Sequence, residues 1–195
     1  MERVDTLLVK KGFFPSRQKA IEAIKQGLVS TNGKKLLKPS EKFEDDAEFE
    51  IRGDLLKYVS RGGFKLEGAI KTFNLDFTDK IILDMGSSTG GFTDCSLQHG
   101  AKLVYAVDVG SNQLVDKLKN NPQVISMENT DIRTLKQDII SRCDYIVGDL
   151  SFISIVKVLE AIVDHISKQK LILLIKPQFE CGIELSKKYK GTIRD

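Results

Sequence analysis

Four aspartates and two lysines fall at positions where alternating strands and helices would gather them into one cleft. The stretch DMGSSTGGF, residues 84–92, joins an apolar run to a helical one through a glycine-rich turn, and such a turn lets backbone approach a ligand closely. Its glycines follow neither GxxxxGK[ST], which cradles nucleotide phosphates, nor GxGxxG, which favours a dinucleotide. Asp84 at the strand end suits a ligand carrying positive charge, such as the amino group or sulfonium region of S-adenosylmethionine. Gly86, Ser87, Ser88, Thr89, Gly90, Gly91 and Phe92 would then form the contacting loop. The same turn could serve only to pack a helix on a strand. Asp108 ends the next strand, where an acid can accept hydrogen bonds from both ribose hydroxyls of a nucleoside cofactor. Asp131, in NTDIR after the third strand, could meet the adenine amino group. Each acid alone could be a solvated strand end or a helix cap; at successive strand ends they favour a nucleoside site.

The fourth strand ends in GDLSF and the fifth in IKPQFE, so Asp149 and Lys176 should stand side by side. Enzymes that methylate exocyclic base nitrogens commonly carry a proline pair and an aromatic after this fourth-strand residue. Leu150, Ser151 and Phe152 stand there instead, which disfavours amino-group methylation. A ribose hydroxyl needs a base and a neighbouring charge to become nucleophilic, and a lysine of lowered pKa beside a carboxylate supplies both. Lys176 could equally be a lysine snorkelling from a strand end. The cluster YVSRGGFKL, residues 58–66, could bring Lys65 into the cleft with Arg61 beside it, or could be a helix start with basic surface residues.

The elements positioning these groups follow from periodicity. IILD, LVYAVD, VISM, YIVGD and LILLIK are nearly continuous apolar runs, separated by plausible helices at 92–99, 113–119 and 154–167. Alternating strand and helix units of this kind predict an α/β fold with a parallel sheet covered on both faces. The first 57 residues differ. Val4, Leu7 and Leu8 recur at helical spacing, and a second helix starts after a Ser16 cap, with Ala20, Ile21 and Ile24 inward and Gly27 closing it. Asn32 and Gly33 between strand-like 28–30 and 34–35 signal a hairpin, and Phe49 with Ile51 a further strand. The polar connector at 52–57 marks the boundary, giving domains 1–57 and 58–195.

The chain of 195 residues has room for one α/β core and a small accessory module. Its charge is almost balanced, with 30 Lys+Arg against 27 Asp+Glu, but basic residues crowd the segment up to Lys42 and an acidic stretch at 44–54 cancels them. Cys95, Cys143 and Cys181 are odd in number and never arranged as CxxC, against a disulfide framework or zinc site, and no metal site is expected. No apolar run nears the roughly 20 residues of a membrane span, so a cytoplasmic protein without membrane contact is expected.

SRGGFKL, DMGSSTGGFTD, AVDVGSNQL, GDLSFIS and IKPQFE together resemble the TlyA family of ribosomal RNA methyltransferases, also called hemolysin A, over nearly the whole chain. The resemblance implies a Rossmann-like class I methyltransferase sheet behind a small N-terminal α+β RNA-binding domain. SRQKAIEAIKQGLVSTNGKKLLKPS is similar to the module shared by a ribosomal small-subunit protein and several pseudouridine synthases. Arg3, Arg17, Lys19, Lys25, Lys34 and Arg61 would meet RNA phosphates. The catalytic part is similar to the FtsJ type of 2′-O-methyltransferase, whose set is Lys, Asp, Lys and Glu. Lys65, Asp149 and Lys176 match the first three, and Asp149 also borders the cofactor. The fourth, a glutamate, belongs several dozen residues past the second lysine, beyond Asp195, with the family's last two strands; Glu180 lies too near Lys176 to replace it. The implied reaction is methyl transfer from S-adenosylmethionine to a cytidine 2′-hydroxyl in ribosomal RNA, with ribosomal RNA or subunits as partners. A non-catalytic RNA-binding or ribosome-assembly factor is the alternative; a membrane-acting hemolysin has little support in the sequence.

Overall fold

The computed structural model describes residues 1–51 and 57–182. The chain divides into two compact units, Met1–Lys57 and Tyr58–Asp195. Of the connector expected at 52–57, all but Lys57 lies outside the described residues.

In the first unit β1 (Glu2–Arg3) leads into α1 (Val4–Lys10), whose Val4, Leu7 and Leu8 are buried at the i, i+3, i+4 spacing of one helix face. The N-cap of α2 (Arg17–Lys25) is Ser16, whose side chain accepts a hydrogen bond from the Lys19 amide, and Gly27 ends the segment at φ +68°. Strands β2 (Val29–Thr31) and β3 (Lys34–Lys35) pair antiparallel through Asn32 and Gly33, both at positive φ as a tight hairpin turn requires. β4 (Lys42–Phe43) pairs with β1, and β5 (Glu50–Ile51) with β2. Ala20, Ala23 and Ile24 of α2 close the core against α1 and Val29.

The second unit begins with α3 (Gly62–Thr72), the helix that the sequence left open at SRGGFKL. Then follow β6 (Ile81–Met85), α4 (Gly91–Gln98), β7 (Leu103–Val107), α5 (Asp116–Lys119), β8 (Val124–Met127) and α6 (Gln137–Arg142). β9 (Tyr145–Gly148), α7 (Ile155–Ile162), β10 (Lys170–Leu173) and α8 (Pro177–Glu180) come next among the described residues. The sheet is parallel throughout, in the order β10-β9-β6-β7-β8. Alternation along β6 sends Leu83 and Met85 into one core with Ile146, Ile155 and Val158, and Ile82 into the other with Leu66 and Phe92. Successive strands run outward from β6 in one direction and then return to its other side through β9. This reversal opens a crevice outside the carboxyl ends of β6 and β9.

Three expectations change. The helix expected at 113–119 shrinks to α5, because the Glu128 carboxylate accepts from the amides of Gln113 and Leu114 and holds them in a loop. The helix expected at 154–167 turns 3-10 at Val163–His165. The fifth strand stops at Leu173, short of Lys176, because its partner β9 ends at Gly148, the residue paired with Leu173.

Candidate active site

Two pairs of glycines set the floor of the crevice. A Cβ on Gly91 would lie 2.2 Å from Ser60 Oγ and 3.0 Å from the Gly63 amide nitrogen; one on Gly63 would lie 2.3 Å from Tyr58 Cγ. The N-termini of α3 and α4 therefore meet backbone to backbone, which only glycine permits. Gly86 turns the chain at φ +77°, and its missing Cβ would stand 2.8 Å from Leu150 Cδ2. The β6–α4 loop is thus pressed against the segment that carries Asp149.

Asp108, just past β7, accepts hydrogen bonds from the Ser88 amide at 2.8 Å and the Gly110 amide at 2.7 Å. Each carboxylate oxygen has capacity for a further donor. Asp108 lines a cavity of about 530 Å³ with Gly86, Ser88, Asp131, Asp149 and Phe152, a volume in the range of nucleoside-sized ligand sites. Asp131 faces the same cavity, but its two oxygens already hold the Arg133 guanidinium, which together with the Arg133 amide keeps its pKa below the usual value.

Asp84 departs from the expected ligand contact. It lines neither this cavity nor its neighbour. The two-residue alternation of β6 puts it on the face of Ile82, beneath α4, where its Oδ2 accepts from Thr93 Oγ1 at 2.6 Å. Its Oδ1 is buried with no partner, and the residue is 1 % exposed. Burial pushes its pKa up to about 7, against the lowering effect of the Thr93 hydrogen bond. In the unfolded chain Asp84 ionises at its usual value, so the folded state holds the proton more tightly. The resulting stability is complete at pH values below that ordinary carboxylate range and is lost as pH rises through about 7. Asp84→Asn keeps an oxygen for Thr93 and cannot ionise. Its melting temperature is expected to fall less than that of the parent between about pH 4 and pH 7, the window between the two ionisations; parallel melting curves across this range would contradict the shift.

A second cavity of about 580 Å³ adjoins the first through Gly86, Ser88, Asp149 and Ser151, and adds Arg61, Lys65, Phe92 and Lys176. At the junction Lys65, reaching from α3, donates to Asp149 Oδ2 at 2.7 Å. Lys176, three residues beyond β10, forms an ion pair with Asp149 Oδ1 at 2.7 Å but directs its hydrogen bond to Ser151 Oγ, also 2.7 Å away. Burial would raise the Asp149 pKa, but the two ammonium groups outweigh it and hold the carboxylate ionised below its ordinary range. One carboxylate between two ammonium groups leaves a net positive pole, suited to an oxygen that gains negative charge during reaction.

Beside this pole Phe152 is 93 % exposed and held at φ +66°, a left-handed conformation costly for an aromatic residue. Its ring lies 5.5 Å from that of Phe179. Sequence reasoning used Ser151 and Phe152 only to disfavour amino-group methylation and placed neither in the site, although both lie within three residues of the strand-end acid.

The expected phosphate contacts separate into groups. Arg3 and Arg17 both bind the buried Asp5 carboxylate, whose pKa the Arg3 hydrogen bond lowers most. Lys19 lies 3.9 Å from Glu22. Lys25 and Lys34 are exposed on α2 and the hairpin, while Arg61 lies in the other unit, at the second cavity. Among the described residues no three side chains are grouped to hold a metal ion, and no helix is long and apolar enough to cross a membrane.

Residues 58–194 match the model of the FtsJ-like methyltransferases, and residues 2–48 that of the S4 domain. The chain belongs to the FtsJ-like methyltransferase family. It is 46 % identical over its whole length to a protein of Bacillus subtilis described as a candidate rRNA methyltransferase, covering 70 % of that protein. It is 42 % identical, over 92 % of its length and 68 % of the relative, to the 16S/23S rRNA (cytidine-2′-O)-methyltransferase TlyA of Mycobacterium tuberculosis. A solved structure from Streptococcus thermophilus, described as a candidate hemolysin, superposes with a TM-score of 0.61 at 45 % identity, over 94 % of this chain and 69 % of that one. The resemblance to the TlyA family and the Rossmann-like methyltransferase sheet are both borne out. As an FtsJ-like methyltransferase the chain is an enzyme whose methyl donor is S-adenosylmethionine. The glycine loop closed on Leu150, the two-amide grip on Asp108 and the nucleoside-sized cavity fit that donor.

Proposed function

We propose that this chain methylates the 2′-hydroxyl of a cytidine ribose in ribosomal RNA, acting in the cytoplasm on ribosomal RNA or ribosomal subunits. The observation that carries the reading is the Lys65–Asp149–Lys176 cluster at the junction of the two cavities. The M. tuberculosis relative, named as a cytidine-2′-O-methyltransferase of both 16S and 23S rRNA, supports it. Domain 1–57 holds the RNA, with Lys25 and Lys34 offering exposed charge to phosphates, and domain 58–195 performs the transfer.

Asp108 would hold the ribose of the donor, residues of the loop 86–92 would contact it, and Asp131 would stand near its adenine. When bound, S-adenosylmethionine supplies a methyl group activated by its positively charged sulfur. Lys176, once its own ammonium proton has passed to solvent, orients the substrate hydroxyl and takes its proton; Asp149 fixes the direction of Lys176, and Lys65, which stays an ammonium, steadies the nucleotide while balancing the second oxygen of Asp149. Much of the acceleration would come from holding the substrate oxygen in a fixed position beside Lys176. The exposed ring of Phe152 offers a stacking face to a base turned out of its RNA fold.

The test incubates the full-length protein with unmodified small and large ribosomal subunits and a methyl-labelled donor, then maps the label. Label in 2′-O-methylcytidine is the expected result. Label on a base overturns the site of methylation, and tight RNA binding without label transfer favours the assembly-factor alternative.

A further inference from the structure

We infer that Glu180 is a positioning residue that sets the distance between Lys176 and Asp149, an inference resting on the catalytic reading of that pair. Sheet pairing does not fix Lys176. The last hydrogen bond along β10 runs from the Leu174 amide to the Gly148 carbonyl, and Leu174, Ile175 and Lys176 follow outside the strand. Ile175 is exposed and so supplies no apolar anchor. The segment is secured from its far end. Glu180, in the last position of α8, accepts from Ser154 Oγ at 2.6 Å through Oε2 and from the Ile155 amide at 2.8 Å through Oε1. Hydrogen bonding from Ser154, more than any other contact, keeps its carboxyl ionised below the usual glutamate range.

Both partners sit at the N-terminus of α7, the helix entered directly from GDLSF. One carboxylate therefore ties the segment carrying Lys176 to the loop carrying Asp149 and Ser151. Between tie and reacting pair the chain is short and stiff. Pro177 fixes the first turn of α8, and the Phe179 amide donates back to the Lys176 carbonyl at 2.8 Å. The Phe179 ring lies 5.5 Å from that of Phe152 and 5.9 Å from Lys176 Nζ. With Glu180 cut away, Lys176 keeps its side chain and loses the strut that delivers it. A shift of about 1 Å at a reacting group is enough to cost on the order of 100-fold in rate.

The experiment measures single-turnover methyl transfer to unmodified ribosomal subunits, donor affinity and melting temperature for full-length Glu180→Ala, Glu180→Gln, Lys176→Met and Glu180→Ala combined with Lys176→Met. Glu180→Ala is expected to slow transfer by about 10- to 100-fold with donor affinity within about 2-fold of the parent. Glu180→Gln, which keeps an acceptor for Ile155 and a group facing Ser154, is expected to recover most of the rate. In the Lys176→Met background Glu180→Ala should add little further loss, because its effect travels through Lys176. A rate for Glu180→Ala equal to the parent, or a loss that multiplies fully with that of Lys176→Met, overturns the inference. Should Glu180→Ala fail to fold, Ser154→Ala removes one of the two donors, and a parental rate there overturns the inference as well. A parental rate for Lys176→Met is a separate outcome: it sinks the catalytic reading on which the inference rests.

Discussion

Lys176→Met is expected to lower the rate of methyl transfer by about 100- to 10,000-fold, the range spanned by removal of a positioned proton acceptor. Donor affinity should stay within about 2-fold of the parent, because the effect is confined to the reacting oxygen. The argument is geometric. The Lys176 side chain is 17 % exposed, its Nζ lies 2.7 Å from Asp149 Oδ1, and it donates a hydrogen bond to Ser151 Oγ. Methionine keeps an unbranched apolar stem one atom shorter, but neither takes a proton nor answers the Asp149 charge. Lys65 remains on Oδ2, so the carboxylate keeps one partner and the fold is expected to hold. Single-turnover kinetics with labelled donor reads the rate, and calorimetry the affinity. Transfer at the parental rate would remove Lys176 from the reaction.

Asp108→Ala is expected to fail in the opposite way, with donor affinity lost and the reacting pair intact. Each hydrogen bond to a charged group contributes about 1.5–3 kcal/mol, so losing those to the ribose hydroxyls should weaken donor binding at least on the order of 100-fold. The amides of Ser88 and Gly110 lose their acceptor at the same time, which loosens the β6–α4 loop at Ser88. Calorimetric titration of the donor analogue S-adenosylhomocysteine measures this directly. An unchanged dissociation constant would show that Asp108 braces the loop and nothing more.

The contrast between these two residues also describes what could be read from the sequence. Asp108 was visible because an apolar strand of regular length ends on it, and strand ends of one parallel sheet share one crevice. Lys176 was visible as a residue but not in its setting. The run LILLIK stays apolar beyond the point where β9 ends, and nothing in its composition marks where pairing stops. Asp84 was assigned to the right strand and the wrong environment, since its face depends on the alternation along β6 and on Thr93 in the helix above. The two-residue pairing of β1 with β4 is too short to carry any period. Lys65 needed the fold, because α3 reaches Asp149 across 84 residues of sequence. Glu180 had no local signal at all. Its partners are 25 and 26 residues away and become neighbours only when β10 lies beside β9.

The bare backbone contact of Gly62 and Gly63 with Gly91 makes one bearing surface of two parts with separate duties. The helix that carries Lys65 cannot slide without dragging the β6–α4 loop. Efforts to enlarge that loop for bulkier donors will therefore disturb the acceptor side in the same stroke, and selection for a new donor will have to retune both ends of the cleft together.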